Sequence, residues 1–350
     1  MLKISAPGKL ILSGEHAVVY GKPALSTTLN LRIKLILEKQ TKNSIVVDLE
    51  NNQYELLLPD IFDCTKNAQK KWQEFSQTQD QKILKQIIQE ETDLLEIAIG
   101  ETLLALGKDH LEHGFHLTIE SQVPLGRGFG SSAAWAAVIC GGFYAWFSGQ
   151  INASKIEPLV HKVEQKIHGN PSGADGAVIV HGGSILFQKN HPIQFLPNLF
   201  SSFSQPIFII DAGKPEHTTG EIVARVKEKY QHNQEKIEKV LSEIGYCTET
   251  IKTAFQTDNK KLLLNLINKN QQLLEQLGVV ADNVRDFCQA IAQKGGAAKI
   301  SGAGGITNQG GGIVICLGLA KKTTQELVEQ FGFKLYAPVE LGVEGLKIHD

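Results

Sequence analysis

The stretch P-L-G-R-G-F-G-S-S-A-A at residues 124–134 constrains this chain most. Just before it, Phe115, Leu117 and Ile119 alternate with His116, Thr118 and Glu120, the period-two spacing of a half-buried strand over residues 114–121. After it, residues 132–146 read as a helix buried inside the protein. Gly126, Gly128 and Gly130 lie between the two and admit backbone angles and close approaches that a Cβ forbids, so a ligand can touch the main chain. Ser131 and Ser132 stand where an N-cap belongs, and the first-turn N–H groups beyond them carry the positive end of the helix dipole. That order of elements makes an anion site, with phosphate the most natural occupant. The alternative is a tight strand-to-helix turn that binds nothing.

Better-known phosphate loops do not fit. No Gly-Lys-Ser/Thr follows the glycines, as a Walker A loop requires. A dinucleotide site wants an acidic residue about twenty positions on, and Ser148-Gly149-Gln150-Ile151-Asn152 has none. Neither H-R-D nor D-F-G occurs, so a protein-kinase set is absent. The loop belongs to another kind of nucleotide site, whose partners lie elsewhere in the chain.

With 350 residues, 42% hydrophobic and 21% charged, the chain has core enough for two ordinary domains. A formal net charge of −2 gives no polycationic handle for nucleic acid or an anionic membrane, so neither partner is expected. The five cysteines (Cys64, Cys140, Cys247, Cys288 and Cys316) are scattered and lack C-x-x-C spacing, which points to reduced, mostly buried thiols. The first residues carry Pro7, Gly8 and Lys9 where a signal peptide would be apolar, and the apolar run at 133–147 is short for a bilayer. A cytoplasmic location is expected.

Residues 3–13 read as a strand broken early by Pro7-Gly8. Strands are expected at 24–37, 44–49 and 54–58, then helical periodicity from 66 to 106. Within that region residues 67–89, rich in glutamine and lysine, read as a solvated or mobile face. A helix at 158–168 precedes a strand, glycine turn and strand at 177–187. Residues 192–206, with three prolines, mark the expected domain boundary. Beyond it come a strand at 207–211, long helices at 219–241 and 259–293, and strands at 312–317 and 335–339. Strands and helices mix in both halves, an α+β pattern.

Four segments place glycine beside polar side chains. They are Ala6-Pro7-Gly8-Lys9 with Gly14-Glu15-His16, the central loop, Glu164 with His168-Gly169-Asn170-Pro171-Ser172-Gly173-Ala174-Asp175, and Ser301-Gly302-Ala303-Gly304-Gly305. Taken singly, Lys9 has the plain reading of a surface lysine after a turn, Asp175 of a capping aspartate, Glu164 of a solvated helix charge and His16 of a hydrogen-bonded core histidine. Asn170 and Ser172 have the reading of turn formers.

Together the four segments resemble the GHMP kinases, and within them the branch that phosphorylates mevalonate. The first segment continues as Ala17-Val18-Val19-Tyr20-Gly21, the central loop is similar to the family's ATP loop, and His168 to Asp175 is similar to the segment that holds its catalytic aspartate. Gly342-Val343-Glu344-Gly345 resembles the branch's ending, so the likeness covers essentially the whole chain. It implies a two-domain α+β fold, with an N-terminal α/β domain of S5-like fold over residues 1–200 that binds ATP and a C-terminal ferredoxin-like α+β domain over 201–350.

The resemblance also implies roles. Phosphoryl transfer needs positioning and charge neutralisation more than covalent help. ATP would lie on Pro124, Gly126, Gly128, Phe129, Gly130, Ser131, Ser132 and Ala133. Mg²⁺, a hard ion that prefers oxygen, would meet Ser132 and Glu164. Asp175 would take the proton of the acceptor alcohol, with Lys9 as its electrostatic partner. Glu15, His16 and Thr218 would contact the acceptor or assist transfer. The implied reaction converts ATP and mevalonate, a small-molecule substrate, to ADP and 5-phosphomevalonate in isoprenoid precursor synthesis, and a homodimer is implied as possible. Another small alcohol such as phosphomevalonate, or a catalytically silent nucleotide binder, are the rival readings.

Three features depart from the pattern. Ile306-Thr307-Asn308-Gln309 interrupts the fourth glycine run before Gly310. Glu216 occupies a position where a basic residue would be expected near a carboxylate-bearing acceptor. Arg127 enlarges a loop position that is commonly small, and reaches either phosphate or solvent.

Overall fold

Residues 2 to 13 form one strand, β1 (Leu2–Ser13), which runs through Pro7 and Gly8 rather than breaking there. Its pairing with β2 (Ala24–Gln40) shifts register between those two residues, so the proline's missing donor falls where the ladder is already interrupted. The computed structural model describes residues 1–49, 51–307, 310–336 and 339–349. β3 (Ile45–Leu49) and β4 (Asn52–Leu56) make a hairpin, and β5 (Gly114–Ser121) lies parallel to β3 and antiparallel to β2. β6 (Ser184–Phe187) pairs with β2 and with β7 (Gln194–Phe195).

A second, four-stranded antiparallel sheet is built from β8 (Ile207–Asp211), β9 (Ala297–Ser301), β10 (Ile313–Leu317) and β11 (Lys334–Tyr336), in the order β11-β8-β10-β9. The expected strand at 335–339 is thus β11, and Ala337 and Pro338 lie outside the described residues. The last strand, β12 (Lys347–His349), returns to pair with β1 and completes the eight-stranded first sheet, β12-β1-β2-β5-β3-β4 with β6 and β7 alongside. Neither β9 nor β12 was expected from the sequence. Both are short, and β12 contains a single apolar side chain.

The helical region after β4 starts earlier than its periodicity suggests and is divided into α1 (Leu58–Thr78), α2 (Gln81–Leu84) and α3 (Asp93–Ala105). Pro59 opens α1 where a missing N–H costs nothing. Its buried face, Ile61, Thr65, Ala68 and Phe75, follows the three- and four-residue spacing, so the glutamine-rich stretch is solvated on its outer side only. α4 (Ser131–Ser148) is buried along most of its length, as its composition predicts. Among the described residues no helix is long and apolar enough to cross a membrane.

α5 (Ala153–His168) and α6 (Ala174–His181) follow, and α6 replaces the first of the two strands expected at 177–187. Its Ala177-Val178-Ile179-Val180 run is buried throughout, and a short continuous apolar run does not reveal its period. The two long helices beyond β8 are each divided. α7 (Thr219–His232) and α8 (Gln234–Gln256) part at Asn233, whose side chain accepts from Lys236 N at 3.3 Å. α9 (Lys260–Leu277) ends at the left-handed Gly278, and α10 (Asp282–Gln293) and α11 (Lys321–Gln330) complete the set.

α4, α6 and α8 all pack on β1 and β2, while α9 and α10 pack on β9. The segment expected as a boundary is partly structured: it carries β7, and Phe200 and Phe203 stack edge-on against Phe255 of α8. All five cysteines are free thiols, and four of them are buried.

Candidate active site

The four glycine-bearing segments, far apart in sequence, meet where β1, the N-terminus of α4, the N-terminus of α6 and the end of β9 converge. Lys9 on β1 donates its backbone N–H to the Phe129 carbonyl at 2.8 Å, which fixes the strand beneath the glycine loop. Its side chain runs past Gly130, where an added Cβ would come within 2.6 Å of Lys9 Cγ. Gly130 has φ +70° and is the N-cap of α4, so the cap is one residue earlier than the serines and uses no side chain. Ser131 and Ser132 are therefore the first two helical residues, with backbone N–H groups among those left without intrahelical partners.

Lys9 Nζ reaches Asp175 Oδ2 at 2.9 Å. Asp175 lies in the first turn of α6, after the left-handed Gly173. The lysine side chain is 5% exposed and the aspartate 37%, so the carboxylate is open to a substrate while its cation is sheltered.

Beside this pair, Glu164 and His168 project from the last two turns of α5. Ser132 Oγ and His168 Nε2 are 3.1 Å apart, and His168 Nε2 is 3.8 Å from Glu164 Oε2. Burial, and then the charge of Asp175, push the Glu164 carboxyl up to about 8. Its Oε1 is buried with no hydrogen-bond partner. Burial also lowers His168, which favours the neutral ring. Among the described residues no group of three or more His, Cys, Asp or Glu side chains is placed to hold a metal. An orphaned buried carboxylate oxygen beside a hydroxyl suits a hard cation that keeps most of its waters.

The turn before Asp175 is clamped by α1. Trp72 Nε1 donates to Gly169 O at 2.9 Å, Asn170 Nδ2 donates to Gln79 Oε1 at 2.9 Å, and Phe75 packs so closely on Gly169 that a Cβ there would lie 2.4 Å from its ring. Ser172 Oγ accepts from Ala174 N at 3.3 Å. Asn170 and Ser172 thus shape the turn. The sequence reading had no signal for the α1 contacts beyond one tryptophan in a polar stretch.

Glu15 and His16 are buried rather than open to the cleft. Glu15 pairs with Lys299 of β9, and both side chains are inaccessible to solvent. His16 has φ +60° and bonds the Ala303 carbonyl through Nε2 at 3.0 Å, and burial lowers it to about 4. Thr218 is the N-cap of α7 in a capping box with Glu221: its hydroxyl accepts from Glu221 N at 3.3 Å, and its N–H donates to Glu221 Oε2 at 2.9 Å. Glu216 is exposed.

In the loop itself Gly126 and Gly128 are exposed, Pro124, Gly130, Ser131 and Ser132 are half-buried, and Ala133 is buried. The Phe129 ring is fully buried edge-on to Tyr336, so only its backbone faces the site. Arg127 points to neither phosphate nor open solvent but bonds Asp211 Oδ1 at 2.9 Å. Ser301 accepts from Ile11 N through Oγ at 2.9 Å, and an added Cβ on Gly128 would lie 3.3 Å from the Ser301 carbonyl, so the fourth segment abuts the first two. Of the insertion, Ile306 and Thr307 are described, while Asn308 and Gln309 lie outside the described residues.

Residues 94–183, which hold the glycine loop, Glu164 and Asp175, match the family profile described as GHMP kinases N terminal domain. A mevalonate kinase of Thermococcus sibiricus is 28% identical over 352 residues, covering 99% of this chain and 98% of its own. The mouse mevalonate kinase is 28% identical over 99% of this chain and 95% of its own. A crystal structure of a mevalonate kinase superposes with a TM-score of 0.78 at 25% identity, over 98% of this chain and 100% of that one. The chain carries a GHMP kinase N-terminal domain. Its fold is the α+β arrangement that this family shares, and it is a small-molecule kinase that uses ATP. The glycine loop, Lys9 and Asp175 lie against one another, whereas Glu15, His16 and Thr218 are engaged in buried or capping bonds. Sequence reasoning also missed Lys299, because a lone lysine in a short, fully buried strand carries no sign of its partner.

Proposed function

We propose that this kinase transfers the terminal phosphoryl group of ATP to mevalonate, giving ADP and 5-phosphomevalonate. The observation that carries the reading is the sheltered Lys9 ammonium held 2.9 Å from the accessible Asp175 carboxylate, beside the N-terminus of α4. The full-length similarity to mevalonate kinases supports this choice of acceptor.

The nucleotide phosphates would be received by the backbone N–H groups from Gly128 to Ser132, with the dipole of α4 behind them. Ser132 Oγ and the Glu164 carboxylate would hold Mg²⁺, which when bound neutralises phosphate charge. Asp175 takes the hydroxyl proton as the acceptor oxygen bonds to phosphorus and the bond to the ADP oxygen breaks. Lys9 offsets the negative charge that spreads over the transferring group, from a position already fixed before substrate arrives.

Residues 1–200 as the nucleotide domain and 201–350 as a second domain are part of the same proposal, with the final strand rejoining the first sheet. All four segments come from one chain, so a homodimer, also proposed, would not be needed to complete the site. Ser132→Ala should raise the Mg²⁺ requirement.

The deciding experiment measures ADP release from ATP and Mg²⁺ with mevalonate, phosphomevalonate, homoserine and galactose, with Asp175→Asn as the blank. Turnover on mevalonate alone is the expected result. Turnover only on another acceptor would keep the chemistry and overturn the substrate, with the exposed Glu216 the first residue to examine. Nucleotide binding without turnover on any acceptor would favour a silent homologue.

A further inference from the structure

One long side chain stands in the middle of the glycine loop, and it is anchored outside it. Arg127 lies between Gly126 and Gly128, which with Gly130 have φ +66°, +96° and +70°. Glycine has more backbone freedom to lose on ordering than any other residue, so a loop with three of them is costly to hold in one shape. A loop that must present its N–H groups to phosphate therefore gains from an anchor close to those groups.

The anchor is on the second sheet. Arg127 Nη1 donates to Asp211 Oδ1 at 2.9 Å, with the side chains 31% and 9% exposed. Asp211 ends β8, where it stands opposite Ile313 of β10 and Lys334 of β11. Its carboxylate has further partners: Oδ1 also accepts from Gly213 N at 2.9 Å, and Oδ2 accepts from the Tyr336 hydroxyl at 3.3 Å. Burial, and then the Asp211 charge, raise the Tyr336 hydroxyl, so it remains a donor near neutral pH. The Tyr336 ring meets Phe129 edge-on, with centroids 5.4 Å apart. Two loop residues are thus tied to one carboxylate, Arg127 directly and Phe129 through Tyr336. The main chains are close as well, since an added Cβ on Gly312 would lie 3.3 Å from the Arg127 carbonyl.

A partly exposed ion pair adds little to global stability. Its effect here is local, because one end is set in a strand and the other in a glycine-rich stretch. We propose that Arg127 is a positioning residue: its bond to Asp211 holds the glycine loop against the second sheet, in the shape that receives the nucleotide phosphates, before ATP arrives. The proposal deepens the kinase reading and rests on its assignment of ATP to this loop.

The test uses the full-length chain with Arg127→Met, Asp211→Ala and the two together. It reads the affinity for a fluorescent ATP analogue in Mg²⁺ beside the KM for mevalonate. Each single variant should weaken the analogue about fivefold or more, and the double variant should be within about twofold of the weaker single, since the same tie is lost in all three. KM for mevalonate should move less than about threefold. If Arg127 held phosphate directly, Asp211→Ala would leave the affinity unchanged or tighten it, and that result would overturn the proposal. Additive losses, no loss, or an equal rise in KM for mevalonate would overturn it too. If Asp211→Ala does not fold, Asp211→Asn, which can still accept from Gly213 N, is judged by the same non-additivity. Amide exchange of residues 125–130 without nucleotide is followed in parallel and should quicken in Arg127→Met, whereas unchanged exchange would count against the anchor. A wild type inactive on mevalonate would sink the acceptor reading, while nucleotide affinity and amide exchange would still decide the role of Arg127.

Discussion

Lys9 Nζ lies 2.9 Å from Asp175 Oδ2, although the two residues belong to the first strand and the sixth helix. One is buried and the other accessible, the disposition required of a fixed cation beside a group that exchanges a proton with substrate. Asp175→Asn should lower kcat by roughly 10²–10⁴ while leaving ATP affinity little changed. Steady-state kinetics with a parallel nucleotide titration check this, and near-normal turnover would remove Asp175 from the role of base.

Gly130 makes room for the Lys9 stem. An alanine there would have to adopt φ +70° and would put its Cβ 2.6 Å from Lys9 Cγ and 2.8 Å from Cε. Gly130→Ala should cost about 1–2 kcal/mol through the left-handed backbone alone. It should also lower kcat at least about tenfold by displacing the ammonium. Urea titration and kinetics separate the two effects, and a destabilised variant with unchanged kcat would show that the route of the stem is immaterial to transfer.

The Glu164 carboxyl, raised to about 8 mainly by burial, holds a proton that the unfolded chain releases near its ordinary value of 4.5. Its contribution to stability is therefore fully present below about 4.5 and is lost as pH rises through about 8. A cation bound to this carboxylate must displace that proton. Calorimetry of Mg²⁺–nucleotide binding at pH 7, in buffers of different ionisation enthalpy, should detect close to one proton released in the wild type and none in Glu164→Gln. Identical buffer dependence in both proteins would exclude Glu164 as a ligand.

His16 titrates in the opposite sense. Burial lowers it from its ordinary 6.5 to about 4, so its contribution to stability is complete above about 6.5 and is lost as pH falls through about 4. The shift corresponds to something on the order of 3 kcal/mol. Asparagine tolerates the positive φ of this position, so His16→Asn should flatten the acid limb of a urea midpoint curve recorded between pH 7 and 4. Parallel curves for the two proteins would place the acid sensitivity elsewhere.

Much of the frame was legible in the sequence because it is local. Alternation in β2 and β5, the buried helix α4 and the glycine loop between them follow from side-chain period and from backbone freedom at three glycines. Errors arose where local signals were ambiguous or were read through. The apolar run of α6 has no visible period, and Asn233 and Gly278 end helices whose periodicity alone runs on past them, as asparagine and glycine commonly do.

By itself the sequence determined the four glycine-bearing segments, their order and the residue types able to bind phosphate and move a proton. Only the tertiary structure decided which of those side chains face the cleft. It set Lys9 against Asp175, turned Glu15 and His16 inward to Lys299 and Ala303, and made Thr218 a helix cap. The physical reason is that burial and pairing are properties of surfaces brought together from distant parts of the chain. A charged residue's partner is set by which strands and helices meet, and no spacing within a single segment encodes that.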